Sequence, residues 1–205
     1  MMSKQYGFYI DTKHCTGCKA CFVACKDRQN LNSGEKYRKV YEFSGGTWNK
    51  EDANAYSQSV YAFYVSMACN QCDDPACLNI CPANAYTKRE SDGIVVYDAE
   101  KCISCFGCQQ VCPYTAPVYD YEAGHMKKCI MCSDETGVDG VPNPACVKAC
   151  PSRALDFGEM EELKEKYGSL NTIASFINTT DPNVVYEPHK DASSGTTIVN
   201  KEEVF

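Results

Sequence analysis

Four cysteine-rich runs constrain this chain more than any other feature, because together they contain all 16 of its cysteines. The most regular run is Cys102-Ile-Ser-Cys105-Phe-Gly-Cys108-Gln-Gln-Val-Cys112-Pro113, which reads C-x2-C-x2-C-x3-C-P. Bacterial ferredoxins bind cubane iron–sulfur clusters with this spacing, and the fourth cysteine ligates the other cluster of a pair. Gly107 lacks a side chain, so we expect it to permit close approach of the backbone to the cluster.

The other three runs are variants of the same pattern. They are Cys15-x2-Cys18-x2-Cys21-x3-Cys25, Cys69-x2-Cys72-x4-Cys77-x3-Cys81-Pro82 and Cys129-x2-Cys132-x13-Cys146-x3-Cys150-Pro151. Proline cannot continue a helix, so we expect each run that has one to end its helical turn there. Lys26 follows Cys25 in the first run, which predicts a helix that continues to about Asn30.

Disulfides and zinc are the alternative uses of so many cysteines. Disulfides dominate small secreted domains, whereas this 205-residue chain has tight groups of cysteines and an N-terminus that reads as a strand, not a signal peptide. Zinc sites usually combine two C-x2-C pairs and often histidine, and the chain has only 3 histidines. The quartets therefore favour iron–sulfur clusters.

The connections between the runs predict how the cysteines pair. One hairpin, with Asp92-Gly93 at its turn, joins the second run to the third, as in a two-cluster ferredoxin. The first and fourth runs then pair by elimination. The predicted ligand sets are set A (Cys15, Cys18, Cys21, Cys150), set B (Cys25, Cys129, Cys132, Cys146), set C (Cys69, Cys72, Cys77, Cys112) and set D (Cys81, Cys102, Cys105, Cys108).

The expected fold class is α+β: two ferredoxin-like units of short strands, hairpins and short helices, each binding two cubane [4Fe-4S] clusters. Residues 1–60 plus 125–165 form a discontinuous outer unit, residues 61–124 form the inner unit, and residues 166–205 form a C-terminal extended tail. From Asp181 onward the tail is polar, and we expect disorder or an arm along a partner subunit. Lys127 and Lys128 are expected to be solvated, and Trp48 to be either an interface anchor or a half-buried packing residue.

The residues predict electron transfer without catalysis. No paired carboxylates, serine–histidine set or phosphate loop marks a separate active site, and every predicted cluster ligand is cysteine. Four fully ligated clusters form a path for single electrons, whose donor and acceptor lie outside the chain. The net charge of −7 gives no basic footprint for nucleic acid. No stretch is long enough to cross a bilayer.

The chain also resembles the iron–sulfur subunit of dimethyl sulfoxide reductases from residue 5 to about residue 170. The matching stretches are Gln-Tyr-Gly-Phe-Tyr-Ile-Asp (5–11), Cys15-Thr-Gly-Cys-Lys, Gly-Gly-Thr-Trp48, Asp-Pro-Ala-Cys77, Cys-Pro-Tyr114, Gly-His-Met126 and Arg-Ala-Leu-Asp-Phe-Gly158.

That resemblance implies a large molybdopterin-containing catalytic subunit and a quinol-oxidising integral membrane subunit as partners, with this chain membrane-associated through them. It implies that set A lies nearest the molybdenum subunit and set C nearest the membrane. A free-standing polyferredoxin and a hydrogenase- or formate dehydrogenase-type iron–sulfur subunit are the alternatives.

Overall fold

Short strands and short helices hold the cysteine runs in the computed structural model, which describes residues 4–134, 136–137, 140–172, 176, 178–192 and 196–205. The strands are β1 (Tyr6–Asp11), β2 (Lys39–Gly45), β3 (Trp48–Lys50), β4 (Tyr56–Gln58), β5 (Tyr61–Met67), β6 (Tyr86–Lys88), β7 (Val95–Tyr97), β8 (Val118–Asp120), β9 (His125–Lys127), β10 (Leu155–Glu159) and β11 (Val184–Glu187). The helices are α1 (Ala20–Arg28), α2 (Ala76–Asn79), α3 (Gly107–Val111), α4 (Ala145–Lys148), α5 (Met160–Tyr167) and α6 (Lys201–Val204). The predicted α+β class is confirmed.

The largest sheet has the strand order β10-β1-β11. β1 is antiparallel to β10 and parallel to β11, and all six of its residues are buried. Phe8 and Ile10 are each 1% exposed, so this strand anchors the main hydrophobic core. The sequence had predicted the N-terminal strand β1.

β2 and β5 form a separate hairpin that carries aromatic side chains into the same core. Phe43 stacks on Phe63 with 4.9 Å between ring centroids. Both strands are rich in β-branched and aromatic residues, which favour strand structure. The smaller β3-β4 hairpin between them was not predicted; its residues are exposed, and Trp48 is 68% exposed, so Trp48 is not a packing residue.

Proline decides the lengths of the helices that carry cysteines. α1 contains Cys21 and Cys25 and extends to Arg28 because no proline follows its last cysteine. The other three cysteine helices, α2 to α4, have four or five residues and stop before Cys-Pro. The β6-β7 hairpin links the second and third runs, as predicted from Asp92-Gly93.

The expectation of a disordered or partner-bound C-terminal segment is wrong for the residues that the structure describes there. Val184 and Val185 are fully buried, because the parallel pairing of β11 with β1 gives their backbone hydrogen bonds inside the protein. Asn200 then fixes α6 to β2, since its Nδ2 donates to the carbonyl of Val40 and its Oδ1 accepts from the N–H of Glu42, both at 2.9 Å. Ser193-Ser194-Gly195, part of the basis for the expectation, lies outside the described residues. The division of the chain into outer unit, inner unit and tail stays a prediction.

Candidate metal centres

Sets B and C each surround one recess that opens to solvent. All four cysteines of set C line a space of about 380 Å³, mouth included, beside Gln71, Lys128 and Thr180. All four cysteines of set B line a second space of about 320 Å³, beside Arg38 and Met131. The structure thus brings together cysteines from two runs at each place, as the predicted pairing requires.

Sets A and D are recognised from the neighbours of their thiols. Burial raises the pKa of Cys15 to about 11, and the nearby thiols of Cys21, Cys150 and Cys18 contribute to the increase. Burial also raises the pKa of Cys108, with Cys102 and Cys105 as neighbouring thiols. Cys81 packs in the same apolar cluster as Cys102 and Cys108.

The four sets follow one another in the order A, B, C, D. Cys21 of set A has Cys146 of set B among its neighbours, and Cys129 of set B has Cys69 of set C. Tyr86 packs in one apolar cluster with Cys108 of set D and Cys77 of set C, so it lies between these two sets.

The two ends of this series reach the surface. Among the cysteines, Cys18 of set A and Cys105 of set D are classed as exposed, whereas the others are buried or intermediate. The expectation that set C is the end nearest the membrane does not agree with this order, because set C has neighbouring sets on both sides. Set D occupies the end instead.

A left-handed backbone residue two positions after the first cysteine shapes the loop of every run. These residues are Gly17 (φ 68°), Gln71 (φ 48°), Ser104 (φ 56°) and Met131 (φ 58°). Only Gly17 is a glycine, and a Cβ there would lie 2.5 Å from the ring of Tyr64.

The role expected for Gly107 beside the cluster stays a prediction, and its protein neighbours leave room for a side chain. A Cβ at Gly107 would meet its nearest neighbour, the Sγ of Cys105, at 3.7 Å, which is an ordinary contact. The glycine that the first run truly requires is Gly17, and its counterpart in the third run is Ser104.

The three Cys-Pro sequences share a reversal that places a backbone donor on the sulfur. The third residue after each cysteine, Asn84, Thr115 or Arg153, is left-handed, with φ between 48° and 55°. The next N–H then donates back to the cysteine. These bonds are Ala85 N to Cys81 Sγ (3.3 Å), Ala116 N to Cys112 Sγ (3.5 Å) and Ala154 N to Cys150 Sγ (3.3 Å). Proline has no backbone N–H group and cannot continue a helix, so the chain can reverse its direction directly after each Cys-Pro pair.

Further donors reach other sulfurs. Met126 and Met131 donate their N–H groups to Cys102 and Cys129, each at 3.4 Å. The Thr180 hydroxyl, from the C-terminal segment, lies 3.2 Å from the Sγ of Cys72. Hydrogen bonds to cluster sulfurs stabilise negative charge and tune the reduction potential.

The protonation of the buried thiols fits a metal-binding role. Burial raises the pKa of Cys25, Cys72 and Cys77 to about 12 each, and neighbouring thiols add to the effect. Such thiols stay protonated at neutral pH unless a metal displaces the proton, and metal binding then releases it. Four-cysteine cradles with backbone donors match the ligand chemistry of a [4Fe-4S] cluster.

Comparison with known proteins decides the family. A family model described as a 4Fe-4S dicluster domain matches residues 60–160. The probable anaerobic dimethyl sulfoxide reductase chain YnfG of Escherichia coli (strain K12) is 46% identical over 99% of this chain and 100% of its own length. The B subunit of anaerobic dimethyl sulfoxide reductase from the same strain is 45% identical with the same coverage. This protein belongs to the family of dimethyl sulfoxide reductase B subunits.

Membership in the B-subunit family confirms the resemblance, the iron–sulfur electron-transfer role and the [4Fe-4S] cofactors predicted from the sequence. A third B subunit, from Haemophilus influenzae, is 46% identical over 92% of both proteins. The first two alignments extend over the C-terminal segment, so the likeness does not end near residue 170. In the described part of this family member, no helix combines the length and apolarity that a bilayer crossing needs.

The sequence did not predict that Lys127, Lys128 and Arg38 are buried in this B subunit. Lys127 and Lys128, expected to be solvated, are only 7% and 1% exposed. Lys127 forms ion pairs with Glu35 and Asp120, both at 2.7 Å. The separation of Glu35 from Lys127 in the sequence left no local signal for this burial.

Lys128 and Arg38 are buried without such pairs in the part of the protein that the structure describes. Lys128 donates to the carbonyl oxygens of Val95 and Cys129 and to the side-chain oxygen of Gln71. Arg38 is 1% exposed and lines the space of set B. The sequence offered no signal for Arg38 beyond its place in a strand-like stretch.

Proposed function

We propose that this chain relays single electrons through four [4Fe-4S] clusters, held by sets A, B, C and D, between two partner subunits. The observation that carries the proposal is the series of four cysteine sets with one exposed cysteine at each end. Each cluster, when bound, accepts and passes on one electron at a time. Every protein ligand in the proposal is cysteine, so the chain itself is non-catalytic.

The chain's own residues would perform three tasks. The cysteines supply four thiolates per cluster, and the four cysteines of set B are all buried. The backbone donors after Cys81, Cys112 and Cys150 stabilise negative charge on the sulfurs without any change of protonation. The left-handed loop residues hold these donors and thiolates in place before an electron arrives.

The proposed partners follow from the two ends of the series of cysteine sets, at sets A and D, and from the names of the related proteins. A large molybdopterin-containing subunit would reduce a sulfoxide substrate at the set A end, and a quinol-oxidising integral membrane subunit would supply electrons at the set D end. This chain would then be membrane-associated through its partner. The full-length similarity to two dimethyl sulfoxide reductase subunits favours this proposal over a polyferredoxin or a hydrogenase- or formate dehydrogenase-type subunit.

The test is anaerobic purification through a tag on this chain. We expect about sixteen irons per chain, four distinct reduced-cluster signals in electron paramagnetic resonance (EPR), and co-purification of a molybdenum subunit. A quinol analogue should reduce the clusters in the complex, and sulfoxide should reoxidise them. An isolated, soluble monomer that exchanges electrons with diffusible carriers would instead support a polyferredoxin, and a colourless product would refute the cluster assignment.

A further inference from the structure

Arg38 lies at the junction of sets A and B. Its Nη1 donates to the carbonyl oxygen of Ser66 at 3.0 Å and to the Ser66 hydroxyl at 3.3 Å. The same hydroxyl lies 3.1 Å from the Sγ of Cys21, a member of set A. The Arg38 side chain also lines the space bounded by all four cysteines of set B. One guanidinium therefore borders both sets.

The charge of Arg38 has no carboxylate partner among the described residues. Its guanidinium carbon lies 4.5 Å from the ring centre of Phe8, and its Nε and Nη2 have no hydrogen-bond acceptor in the described part of the chain. An isolated buried cation is very costly, so buried charges are normally paired. The compensation must come from another source of negative charge.

The cysteine sulfurs are that source. The four cysteines of set B line the same space as Arg38, and Cys21 of set A contacts Ser66, the hydrogen-bond partner of Arg38. Thiolates that hold a cluster at these positions would place negative charge beside the guanidinium. Electrostatic interaction is reciprocal. Negative charge on the sulfurs stabilises the Arg38 cation, and the cation stabilises that negative charge. A cluster that takes up one electron becomes more negative by one unit charge, and a fixed neighbouring cation favours that reduced state.

We propose that Arg38 is a positioning and potential-setting residue, which raises the reduction potentials of the clusters in sets A and B and donates Nε–H and Nη2–H hydrogen bonds to sulfurs of set B. The proposal rests on the cluster-binding function proposed above. The step that it affects is the uptake of one electron, in which no bond forms or breaks and no proton moves.

Arg28 provides a matched control. It is an arginine close to Cys132 of set B: burial raises the pKa of that thiol, and the charge of Arg28 opposes the increase. Unlike Arg38, its side chain is 28% exposed and forms an ion pair with Asp134 at 3.1 Å. Solvent and the carboxylate should screen its charge, so its removal should change the potentials little.

The experiment is an EPR-monitored redox titration of the purified complex, with dithionite as reductant, for Arg38→Gln, Arg38→Lys and Arg28→Gln. In Arg38→Gln we expect the equilibrium constants for reduction of the clusters in sets A and B to fall about tenfold. This fall lowers their reduction potentials by about 59 mV for a one-electron couple. The other two clusters should keep their potentials. Arg38→Lys should retain most of the wild-type values because it retains the charge, and Arg28→Gln should match the wild type.

Three results would overturn the proposal. The first is unchanged potentials in an Arg38→Gln complex with full iron content. The second is an equal shift of all four clusters, and the third is a shift in Arg38→Lys as large as in Arg38→Gln. Normal iron content in the wild type together with any of these results would reject the role of Arg38 and leave the cluster-binding function intact.

A second measurement does not depend on the folding of an Arg38 variant. Pulsed EPR on reduced Arg28→Gln complex, labelled with ¹⁵N-arginine, should detect a guanidinium nitrogen coupled to a reduced cluster. Absence of that coupling would exclude the hydrogen bonds to set B.

Discussion

The ion triad of Lys127, Glu35 and Asp120 should be a main source of stability at the junction of β9 with the loop after α1. The side chains of Lys127 and Glu35 are 9% and 4% exposed, and the Nζ of Lys127 lies 2.7 Å from each carboxylate. Removal of the lysine leaves Glu35 buried without its counter-charge. Breaking a buried ion pair in this way costs about 3–5 kcal/mol.

The other hydrogen bonds of Asp120 and Glu35 indicate which carboxylate would be destabilised more by the loss of Lys127. Asp120 keeps hydrogen bonds from the N–H groups of Ala123 and Glu122, and these bonds, together with Lys127, lower its pKa to about 2. Glu35 keeps only the N–H of Asn32 on Oε2, and its Oε1 has no partner among the described residues. Most of the destabilisation should therefore arise at Glu35.

We expect Lys127→Met to lower the melting temperature of the anaerobic complex by about 6–20 °C, given about 2–4 °C per kcal/mol for a chain of this size. The assay is thermal unfolding at one fixed scan rate, because an irreversible unfolding midpoint depends on that rate. The double variant Lys127→Met/Glu35→Gln should recover several degrees, since it removes the unpaired charge. A drop below about 2 °C in the single variant, or a double variant less stable than the single, would refute the reasoning.

Four other substitutions separate the roles of single residues. Cys105→Ser should alter one EPR signal and slow quinol-linked turnover, while activity with a dye that reduces the catalytic partner directly stays normal; unaltered spectra would refute the assignment to set D. Gly17→Ala should lower the iron content, because φ is 68° and Tyr64 blocks the Cβ, whereas Gly107→Ala should retain full iron and change stability by less than about 1 kcal/mol. Thr180→Val should make one cluster harder to reduce without loss of iron, and unchanged potentials would show that its 3.2 Å contact with sulfur has no electronic effect.

The sequence predicted the features that depend on neighbouring residues. The x2 spacing and the three Cys-Pro pairs act within one loop, so the short helices and the longer α1 could be foreseen. Asp92-Gly93 predicted the β6-β7 hairpin for the same reason. The division of the cysteines into sets A to D followed from the connection between the runs, and it stays a prediction.

Features that depend on distant partners could not be foreseen. Gln71, Ser104 and Met131 adopt the left-handed conformation without glycine, so only Gly17 gave a signal. Lys127 looked like a surface lysine because its partner Glu35 lies in a different segment of the chain. In the C-terminal segment, the apolar run at 184–186 was the one available clue to β11, and the polar residues around it concealed that clue.

The pairing proposed for the four runs also implies an order of assembly. All cysteines of sets C and D have been synthesised once residue 112 has left the ribosome. Set B must wait for Cys146, and set A must wait for Cys150. β11, which closes the sheet beside β1, is synthesised later still. Contacts between distant residues form slowly, so iron delivered during translation would meet sets C and D first. The first three cysteines of the chain, which belong to set A, would wait longest for their fourth ligand.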